Sequence, residues 1–365
     1  MFRKSVIGIL FLASLFVLNP VFSETYYVKK DGSDDNNGLS WGQAFLTIYK
    51  ALQVVTSGDS VWVAEGEYRG EITIQFGETF YGGFDGTETE LSQRDIKNNQ
   101  VIIDGRNWGE CVRNYGTIDG FYVINGYAYY GGGIFNEGAV TNCTVYGNYA
   151  EEYGGGIYNN ASGVVTNCTV YGNSADFSGG GIYNKPSGVV INCTVYGNSY
   201  EGIYNNASGV VINCISWNNA NCDIWGPGVV SYSCFGGASG TGNISANPLF
   251  VNTSGDVSTW DFHLQDGSPC VDKGTLKDAP GSDLEGNPRP GGDSKVCMGA
   301  CESPAGYLPG PPAPSKRLYV SPSGDDSDGK SWATAFNTLQ SAISESGKLD
   351  DFFNIWVAAA TYREG

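Results

Sequence analysis

The sequence predicts an all-β chain folded as a right-handed parallel β-helix with a short N-terminal capping helix. Three observations support this fold class: a repeat in four copies, strand-like alternation within each copy, and a composition suited to turns and strands. The 365 residues include 53 Gly, 23 Tyr and 17 Phe, but only 2 Met. Glycine favours tight turns and aromatic residues favour strands, so this composition argues against a helical bundle.

Two short motifs recur in alternation between residues 131 and 217. The first reads Gly-Gly-Gly-Ile-Tyr-Asn, with small variations, and the second reads Asn-Cys-Thr-Val-Tyr-Gly-Asn. Copies stacked about 4.8 Å apart bury one continuous apolar face, which a single copy cannot do. We expect the glycine runs at corners, where the backbone needs positive φ. Identical residues then form ladders, expected at Ile134, Ile157, Ile182 and Ile203, at Cys143, Cys168, Cys193 and Cys214, and at Asn148, Asn173 and Asn198.

Alternation within one copy predicts which side chains face the core. Across residues 189–196 every second residue is apolar, and the residues between them are mostly polar or amphipathic. Side chains alternate between the two faces of a strand, so we expect the apolar set to face the core. That set is Val189, Ile191, Cys193 and Val195.

Less regular segments extend the solenoid in both directions. Strands are expected within residues 71–74, 101–105, 117–121 and 228–234. Residues 44–55 carry apolar side chains at helical spacing. We therefore expect an amphipathic helix there that covers the open first turn.

The chain divides into four predicted parts. Residues 1–23 combine a basic start, an apolar run and a small-residue cleavage site, which is typical of a signal peptide. Residues 24–303 form the β-helix domain, and residues 304–316 are a Pro-rich linker. Residues 317–365 repeat the pattern of the N-terminal cap, so we expect the truncated start of a second β-helix domain.

Charge and hydropathy limit the partners of the chain. The formal net charge of −18 repels nucleic acid, so no nucleic-acid partner is expected. After the signal peptide no segment is long and apolar enough for a transmembrane helix, so we expect no membrane span within this chain. These features favour a secreted, extracellular or cell-surface protein.

Several stretches resemble bacterial parallel β-helix repeat proteins. The opening Trp41-Gly-Gln-Ala-Phe45 followed by Val61-Trp-Val-Ala64 resembles their start, and Gly267-Ser-Pro-Cys270 resembles part of their terminal cap. The glycine-rich repeats resemble those of chlamydial polymorphic outer membrane proteins, with Gly in place of the Ala of their GGAI motif. Those relatives are adhesins, so the resemblance implies a non-catalytic, adhesin-like role.

The same fold also implies an alternative, a pectate lyase-like polysaccharide lyase or glycoside hydrolase. A lyase needs a basic residue and carboxylates, yet Lys185 is the only basic residue between Arg113 and Lys273. A hydrolase needs paired carboxylates, and the acidic residues of the regular copies are sparse and irregularly placed. His263, the only histidine, has no evident catalytic partner. The sequence therefore favours a non-catalytic protein and predicts no catalytic residue.

One aromatic row is the predicted ligand-binding feature. Tyr146, Tyr171 and Tyr196 occupy the same position in successive repeats. Outward-facing rings form an exposed row that suits stacking on sugars or contact with a partner. The same rings equally suit packing against one another along the solenoid. The predicted partners are a carbohydrate or a cell-surface protein.

The cysteines suggest packing and disulfide formation rather than metal or cofactor chemistry. Members of the predicted ladder lie one turn apart on a buried face, which suits small apolar packing better than a zinc site. Cys297 with Cys301, or Cys222 with Cys234, suit disulfide bonds after export, and the sequence leaves this pairing open. No cofactor is expected, apart from calcium.

The loop at residues 31–38 carries alternating oxygen side chains that suit a calcium ion. The expected ligands are Asp31, Ser33, Asp35 and Asn37. A similar loop lies at residues 325–329. Neither loop has the full EF-hand spacing, and metal-free Asp/Asn/Gly turns have the same composition.

Chelation tests the calcium prediction. A cation that binds only the folded chain stabilises it, so EDTA is expected to lower the Tm and added calcium chloride to restore it. Thermal unfolding followed by intrinsic tryptophan fluorescence measures this shift. A Tm that EDTA leaves unchanged would contradict the calcium prediction.

Overall fold

Each turn of the molecule consists of three short strands that are joined at corners and continue into the next turn. In this computed structural model the described residues are 23–290, 295–302, 316–320 and 353–357. Strands of successive turns pair in parallel and form three long sheets, which we name A, B and C. The predicted all-β parallel β-helix is therefore confirmed.

Sheet A is the longest sheet and has nine strands. These strands are Thr25–Val28, Ser60–Ala64, Thr79–Phe84, Thr117–Asp119, Ala139–Thr141, Val164–Thr166, Val189–Ile191, Val210–Ile212 and Val229–Ser231. Most are only three residues long, because a corner follows at once.

Sheets B and C have seven strands each. The strands of sheet B are Gly66–Arg69, Val101–Asp104, Tyr122–Ile124, Thr144–Tyr146, Thr169–Tyr171, Thr194–Tyr196 and Ile215–Trp217. The strands of sheet C are Ile72–Ile74, Val112–Asn114, Ile134–Asn136, Ile157–Asn159, Ile182–Asn184, Glu201–Asn205 and Cys222–Trp225.

Several shorter elements lie outside sheets A, B and C. A three-stranded sheet D lies between sheets B and C, and its strands are Tyr127–Tyr130, Tyr149–Tyr153 and Ser174–Ala175. Near the C-terminus an antiparallel pair is formed by Phe250–Asn252 and Asp261–Leu264. Single turns of 3₁₀ helix lie at Trp41–Gln43, Leu91–Gln93 and Val257–Thr259.

The core contains the predicted isoleucine and cysteine ladders. Ile134, Ile157, Ile182 and Ile203 are direct partners in sheet C. All four are fully buried, and so are the four ladder cysteines. Stacked rungs therefore share one continuous apolar interior, as the repeats predict.

The predicted alternation across residues 189–196 is wrong for its first half. Val190 is fully buried, whereas its neighbours Val189 and Ile191 are only half-buried. The segment is two strands rather than one, because Asn192 adopts φ 48° and turns the chain from sheet A into sheet B. That corner resets the alternation, so Val195 faces the core as predicted.

The glycine triplets have two structural roles. Only the first glycine of a triplet has positive φ, as at Gly154 with φ 70°. The third lies against the neighbouring turn: a Cβ on Gly156 would lie 2.7 Å from the Gly181 carbonyl oxygen. Such a contact is too short for any side chain, so this position requires glycine because the turns approach closely.

Asparagine ladders satisfy the backbone at the corners. Between sheets C and A, Asn114, Asn136, Asn159, Asn184 and Asn205 are each fully buried, and each Nδ2 donates to the next Oδ1 at 2.7–2.8 Å. The predicted ladder after sheet B is confirmed and extends to Asn219, with Nδ2 to Oδ1 distances of 2.9–3.0 Å. The ladder amides also bind nearby backbone carbonyls: Asn159 donates to the Gly163 carbonyl, which accepts from the Val189 N–H as well.

The N-terminal capping helix is present but shorter than predicted. It spans Ile48–Leu52, and the Thr47 side chain caps it by accepting a hydrogen bond from the Lys50 N–H at 3.1 Å. Ile48 and Ala51 are buried in the core of the solenoid. Of the flanks predicted as helix, residues 44–47 are non-helical chain and residues 53–55 continue into a hydrogen-bonded turn, yet Phe45 and Val55 still help to close the first turn.

The C-terminal arm, residues 247–290 and 295–302, folds back along the outer face of sheet B. Its buried Arg289 pairs with Glu302 at 2.5 Å and donates to the Oδ1 of Asn167 at 3.1 Å. Asn192 and Asn213 donate to arm carbonyls at 3.2 and 2.8 Å. The asparagines between sheets A and B therefore hold the arm as well as the corner.

The strands Lys316–Val320 and Phe353–Val357 pair in parallel. Their register aligns Tyr319 with Trp356, as Tyr27 aligns with Trp62 in the first turn. The signal peptide, the linker and the rest of residues 317–365 lie almost wholly outside the described residues, so the four-part division stays a prediction. Within the part of the chain that the structure describes, no helix has the length and apolarity to cross a membrane.

Replacing Asn159 tests the corner ladder. Asn159→Ala removes the acceptor that the Asn136 amide binds in the next turn and one of the two donors to the Gly163 carbonyl, so we expect a loss of about 2 kcal/mol in the free energy of unfolding. The control is Asn160→Ala, which removes an exposed hydrogen bond to Glu137 and is expected to cost under about 1 kcal/mol. Urea unfolding measures both, and equal losses would contradict the ladder's role.

Candidate functional site

An open groove lies where sheet B passes into sheet C in the first turns. Two adjoining depressions form it, with volumes of about 290 and 600 Å³, and Glu71 lines both. We call it the corner groove. Its walls come from Arg69–Thr73, Gly105–Arg113 and Tyr127–Phe135. These connections differ in length and sequence from the regular repeats.

The loop Gly105–Cys111 is held firmly although it is irregular. Backbone N–H groups of Gly105 and Asn107 donate to carbonyls of the next turn at 2.9 and 2.7 Å. The Gly109 carbonyl accepts from the Tyr127 N–H at 2.9 Å. Arg106 and Asn107 adopt positive φ, which projects the loop away from the corner. The loop is therefore preorganised and does not need a ligand to order it.

Trp108 stands at the tip of this loop and is the most exposed large apolar side chain in the described part of the chain, at 85%. Single exposed apolar side chains are common on protein surfaces, so it is the place of Trp108 at the rim of the corner groove that makes its indole a candidate contact surface. Around it lie Arg69 and Arg106, which pair loosely with Glu71 and Glu67 at 3.7 and 3.6 Å. Exposed pairs of this kind contribute little to stability, so both guanidinium groups are free to bind a ligand.

The larger depression contains a tighter pair. Arg113 donates two hydrogen bonds to Glu110, at 2.6 and 2.9 Å, and its guanidinium lies 4.5 Å from the Phe135 ring centroid. Burial disfavours the charge of Arg113, but its hydrogen bonds to Glu110 and Tyr115 outweigh this and raise its pKa. Arg113 is therefore a fixed cation, and it is not poised to accept a proton.

Sequence reasoning missed the corner groove. Arg69, Arg106 and Arg113 are three of the five arginines between residues 23 and 302. They lie apart in sequence, and only the stacking of turns brings them to one corner. One feature of the sequence could have indicated the groove: Trp108 follows two residues after Arg106, in a turn that departs from the repeat.

The predicted exposed tyrosine row is not exposed. Tyr171 and Tyr196 are only 6% and 9% exposed, because the C-terminal arm covers them. Trp260 packs against both rings, with centroids 5.7 and 5.3 Å away. Tyr146 is half-buried and stacks on Tyr171 at 5.0 Å. The alternative of ring packing holds, and the row offers no open face to a ligand.

Acidic residues on sheet D accept hydrogen bonds from tyrosines one turn earlier. Tyr127 donates to Glu151 and Tyr149 donates to Asp176, each at 2.7 Å, while Tyr129 donates to Glu152. The hydrogen bond to Asp176 raises the pKa of Tyr149 to about 12. These acidic residues follow no regular sequence pattern, because the tyrosines that they bind lie in another turn.

His263 has carboxylate partners that the sequence did not reveal. Its Nδ1 lies 2.5 Å from Asp261 and its Nε2 lies 3.2 Å from Glu285, which also pairs with Lys97 at 2.9 Å. These hydrogen bonds raise the pKa of His263 to about 9 and lower that of Glu285 to about 2. Both ring nitrogens of His263 are engaged by arm residues, so His263 is not available as a general base, while its partner Glu285 joins the arm to Lys97.

The predicted calcium ligands are spread along a well hydrogen-bonded loop. Asp31 pairs with Lys29 at 3.2 Å, while Ser33 accepts from the Asp35 N–H and Asn37 from the Leu39 N–H. The described residues contain no group of three or more His, Cys, Asp or Glu side chains that suits a metal ion. Calcium stays a prediction, and residues 325–329 lie outside the described part.

Comparison with solved structures finds other proteins of low identity. A pectate lyase, Pel9A, is 15% identical over 77% of this chain and 96% of that chain, with a TM-score of 0.45. A rhamnogalacturonan lyase is 17% identical over 58% and 68%, with a TM-score of 0.33. XylC in its complex with xylose is 12% identical over 57% and 65%, with a TM-score of 0.35. Similarity at this level concerns the fold alone.

No family model matches the chain, and no curated protein matches it. The resemblance to bacterial β-helix repeat proteins is therefore supported only at the level of the parallel β-helix. The resemblance to the repeats of chlamydial polymorphic outer membrane proteins stays a prediction.

The charge of His263 makes the stability of the arm depend on pH. Its pKa is raised above the ordinary 6.5, so its contribution is complete below pH 6.5 and is lost as pH rises through about 9. The pKa of Glu285 is lowered from 4.5, so its contribution is complete above pH 4.5 and is lost as pH falls through about 2. Stability from this cluster is greatest between pH 4.5 and 6.5.

His263→Gln tests this dependence, because His263 is the only histidine in the chain. Wild-type protein is expected to lose more free energy of unfolding than the variant between pH 6.5 and 9. Urea unfolding at the two pH values measures the difference. Identical losses in both proteins would show that the cluster does not stabilise the arm.

Proposed function

We propose that this chain is a secreted or cell-surface protein that binds a glycan in the corner groove without cleaving it. The observation that carries the proposal is the exposed Trp108 ring on an anchored loop beside Arg69 and Arg106. The predicted signal peptide at residues 1–23 supports the location.

The chemistry of the groove suits a sugar ring. A pyranose has an apolar face of C–H groups and a rim of hydroxyls. A flat indole complements that face, and guanidinium and carboxylate groups donate to and accept from the rim. Glu71 lines both depressions, so one chain of sugars can contact Trp108 at one end and Phe135 at the other.

The charge around the groove favours a neutral glycan. The three arginines Arg69, Arg106 and Arg113 are outnumbered by the four carboxylates of Glu67, Glu71, Glu110 and Asp104. The whole chain has a net charge of −18, which repels acidic polymers over longer distances. A neutral glycan avoids this repulsion and still uses every hydrogen-bonding group.

Hydrolysis of the same glycan is the second candidate function. Glu71 and Glu110 line one depression, and a pair of carboxylates is the minimum that glycoside hydrolysis needs. Arg113 is not suited to serve as the base of a lyase, because Glu110 holds it as a cation.

Removing the indole tests the binding proposal. Trp108→Ala is expected to weaken binding of a neutral oligosaccharide about tenfold, because it removes the stacking surface. Trp225→Ala is the matched control, since Trp225 is 62% exposed in the last turn of sheet C and far from the groove. Glycan-array screening selects the oligosaccharide and calorimetry measures Kd. Equal Kd values for the two variants would contradict the site.

Reducing-end release from the selected glycan separates binding from hydrolysis. Binding alone predicts no release above a blank by the wild-type chain. Release that Glu71→Gln or Glu110→Gln abolishes, while Glu137→Gln does not, would establish the hydrolase instead. Glu137 is a suitable control because it lies outside the groove and bonds Asn160.

A further inference from the structure

Two cysteines meet where the last turn joins the C-terminal arm. Cys234 follows the last strand of sheet A and bridges Ile215 of sheet B. Cys270 lies in the arm. Both residues are fully buried in one apolar cluster. The Cys234 thiol donates to the Ala246 carbonyl at 3.1 Å, and the Cys270 N–H donates to the Ser268 hydroxyl, which donates to the Pro248 carbonyl. Both cysteines are therefore held against residues 246–248, where their thiols contact each other.

The backbone holds both residues in place. The Cys234 N–H donates to the Cys214 carbonyl at 2.8 Å, and its own carbonyl accepts from Ser216 at 2.9 Å. The Cys270 carbonyl accepts from the Met298 N–H at 3.1 Å. The thiol contact is therefore a fixed feature of the docked arm rather than an encounter of mobile side chains.

The ladder cysteines are less suited to a disulfide bond, although they also contact one another. Cys168, Cys193 and Cys214 directly precede in-register strands, which a parallel sheet holds about 4.8 Å apart. A disulfide needs Cβ atoms about 3.5–4.5 Å apart, so the rungs would have to move. Cys234 and Cys270 belong to a turn and an arm, and no ladder spacing constrains them.

The pairings that the sequence left open find less support. Cys222 lies in sheet C beside Glu201 and Asp223, whereas Cys234 joins sheet B. Cys301 lies beside Asp283 and Glu285, and Cys297 lies near Cys270. Cys297 is therefore the one competing partner for Cys270 that the geometry offers.

We propose that Cys234 and Cys270 form a disulfide bond that fastens the C-terminal arm to the last turn of the solenoid. The two thiols lose two protons and two electrons as one S–S bond forms. An oxidised disulfide, such as glutathione disulfide, accepts the electrons by thiol–disulfide exchange and leaves as two thiols. Both thiols are buried in the folded chain, so the exchange occurs while the arm docks.

Peptide mapping of the purified full chain tests the bond. The chain is refolded with oxidised and reduced glutathione, its remaining thiols are blocked with N-ethylmaleimide, and it is digested without reduction. The expected product is one peptide pair that joins Cys234 to Cys270. Recovery of both cysteines as blocked thiols, or of a Cys270–Cys297 pair, overturns the proposal.

Thermal unfolding supplies an independent readout. Dithiothreitol is expected to lower the Tm of the oxidised wild-type chain by about 5–10 °C, because the crosslink restricts the unfolded chain. Cys270→Ser is expected to show no such shift, whereas the control Cys168→Ser keeps it. A wild-type Tm that reduction leaves unchanged counts against the bond, and peptide mapping decides the matter even where a variant fails to fold.

Discussion

Corner hydrogen bonding is the constraint on which the rest of the molecule depends. A three-residue strand leaves its polar backbone groups facing a bend, and burying them without partners is costly. Stacked asparagines solve this problem, since each amide binds the next amide and a nearby carbonyl, as Asn159 does with Asn184 and Gly163. The solution works only when every turn repeats the same residue at the same place. Repetition of the sequence is therefore a physical requirement of these corners.

The regular and the irregular turns of the solenoid have different roles. The regular turns from Gly131 to Trp217 use their inward side chains for the core and their outward tyrosines for stacking, and the arm covers part of that surface. The first turns depart from the repeat at Gly70–Glu71 and at Gly105–Cys111. The asparagine ladder after sheet B begins only at Asn148, so at these earlier corners the chain projects outward and Trp108 is exposed to solvent. The candidate site therefore lies in the turns whose sequence departs from the repeat.

The sequence predicted the solenoid, its isoleucine, cysteine and asparagine ladders and the short cap, because identical residues at fixed spacing can stack in only one way. Prediction from the sequence failed where a residue is surrounded by segments that are distant in the sequence. The arm that buries Tyr171 and Tyr196 lies more than fifty residues away, and Asp261 and Glu285 surround His263 only through folding. Alternation misassigned Val189 because the corner at Asn192 divides what looks like one strand. No pattern of neighbouring residues in the sequence indicates these contacts.

The central claim is that the irregular corner holds the ligand, whereas the regular repeats hold the fold. The most direct test is a crystal structure with an oligosaccharide selected from a glycan panel. The account predicts sugar density against the Trp108 indole, with hydroxyls bound by Arg69 and Arg106. A sugar bound on sheet D or under the C-terminal arm, or a panel on which no glycan binds, would contradict it.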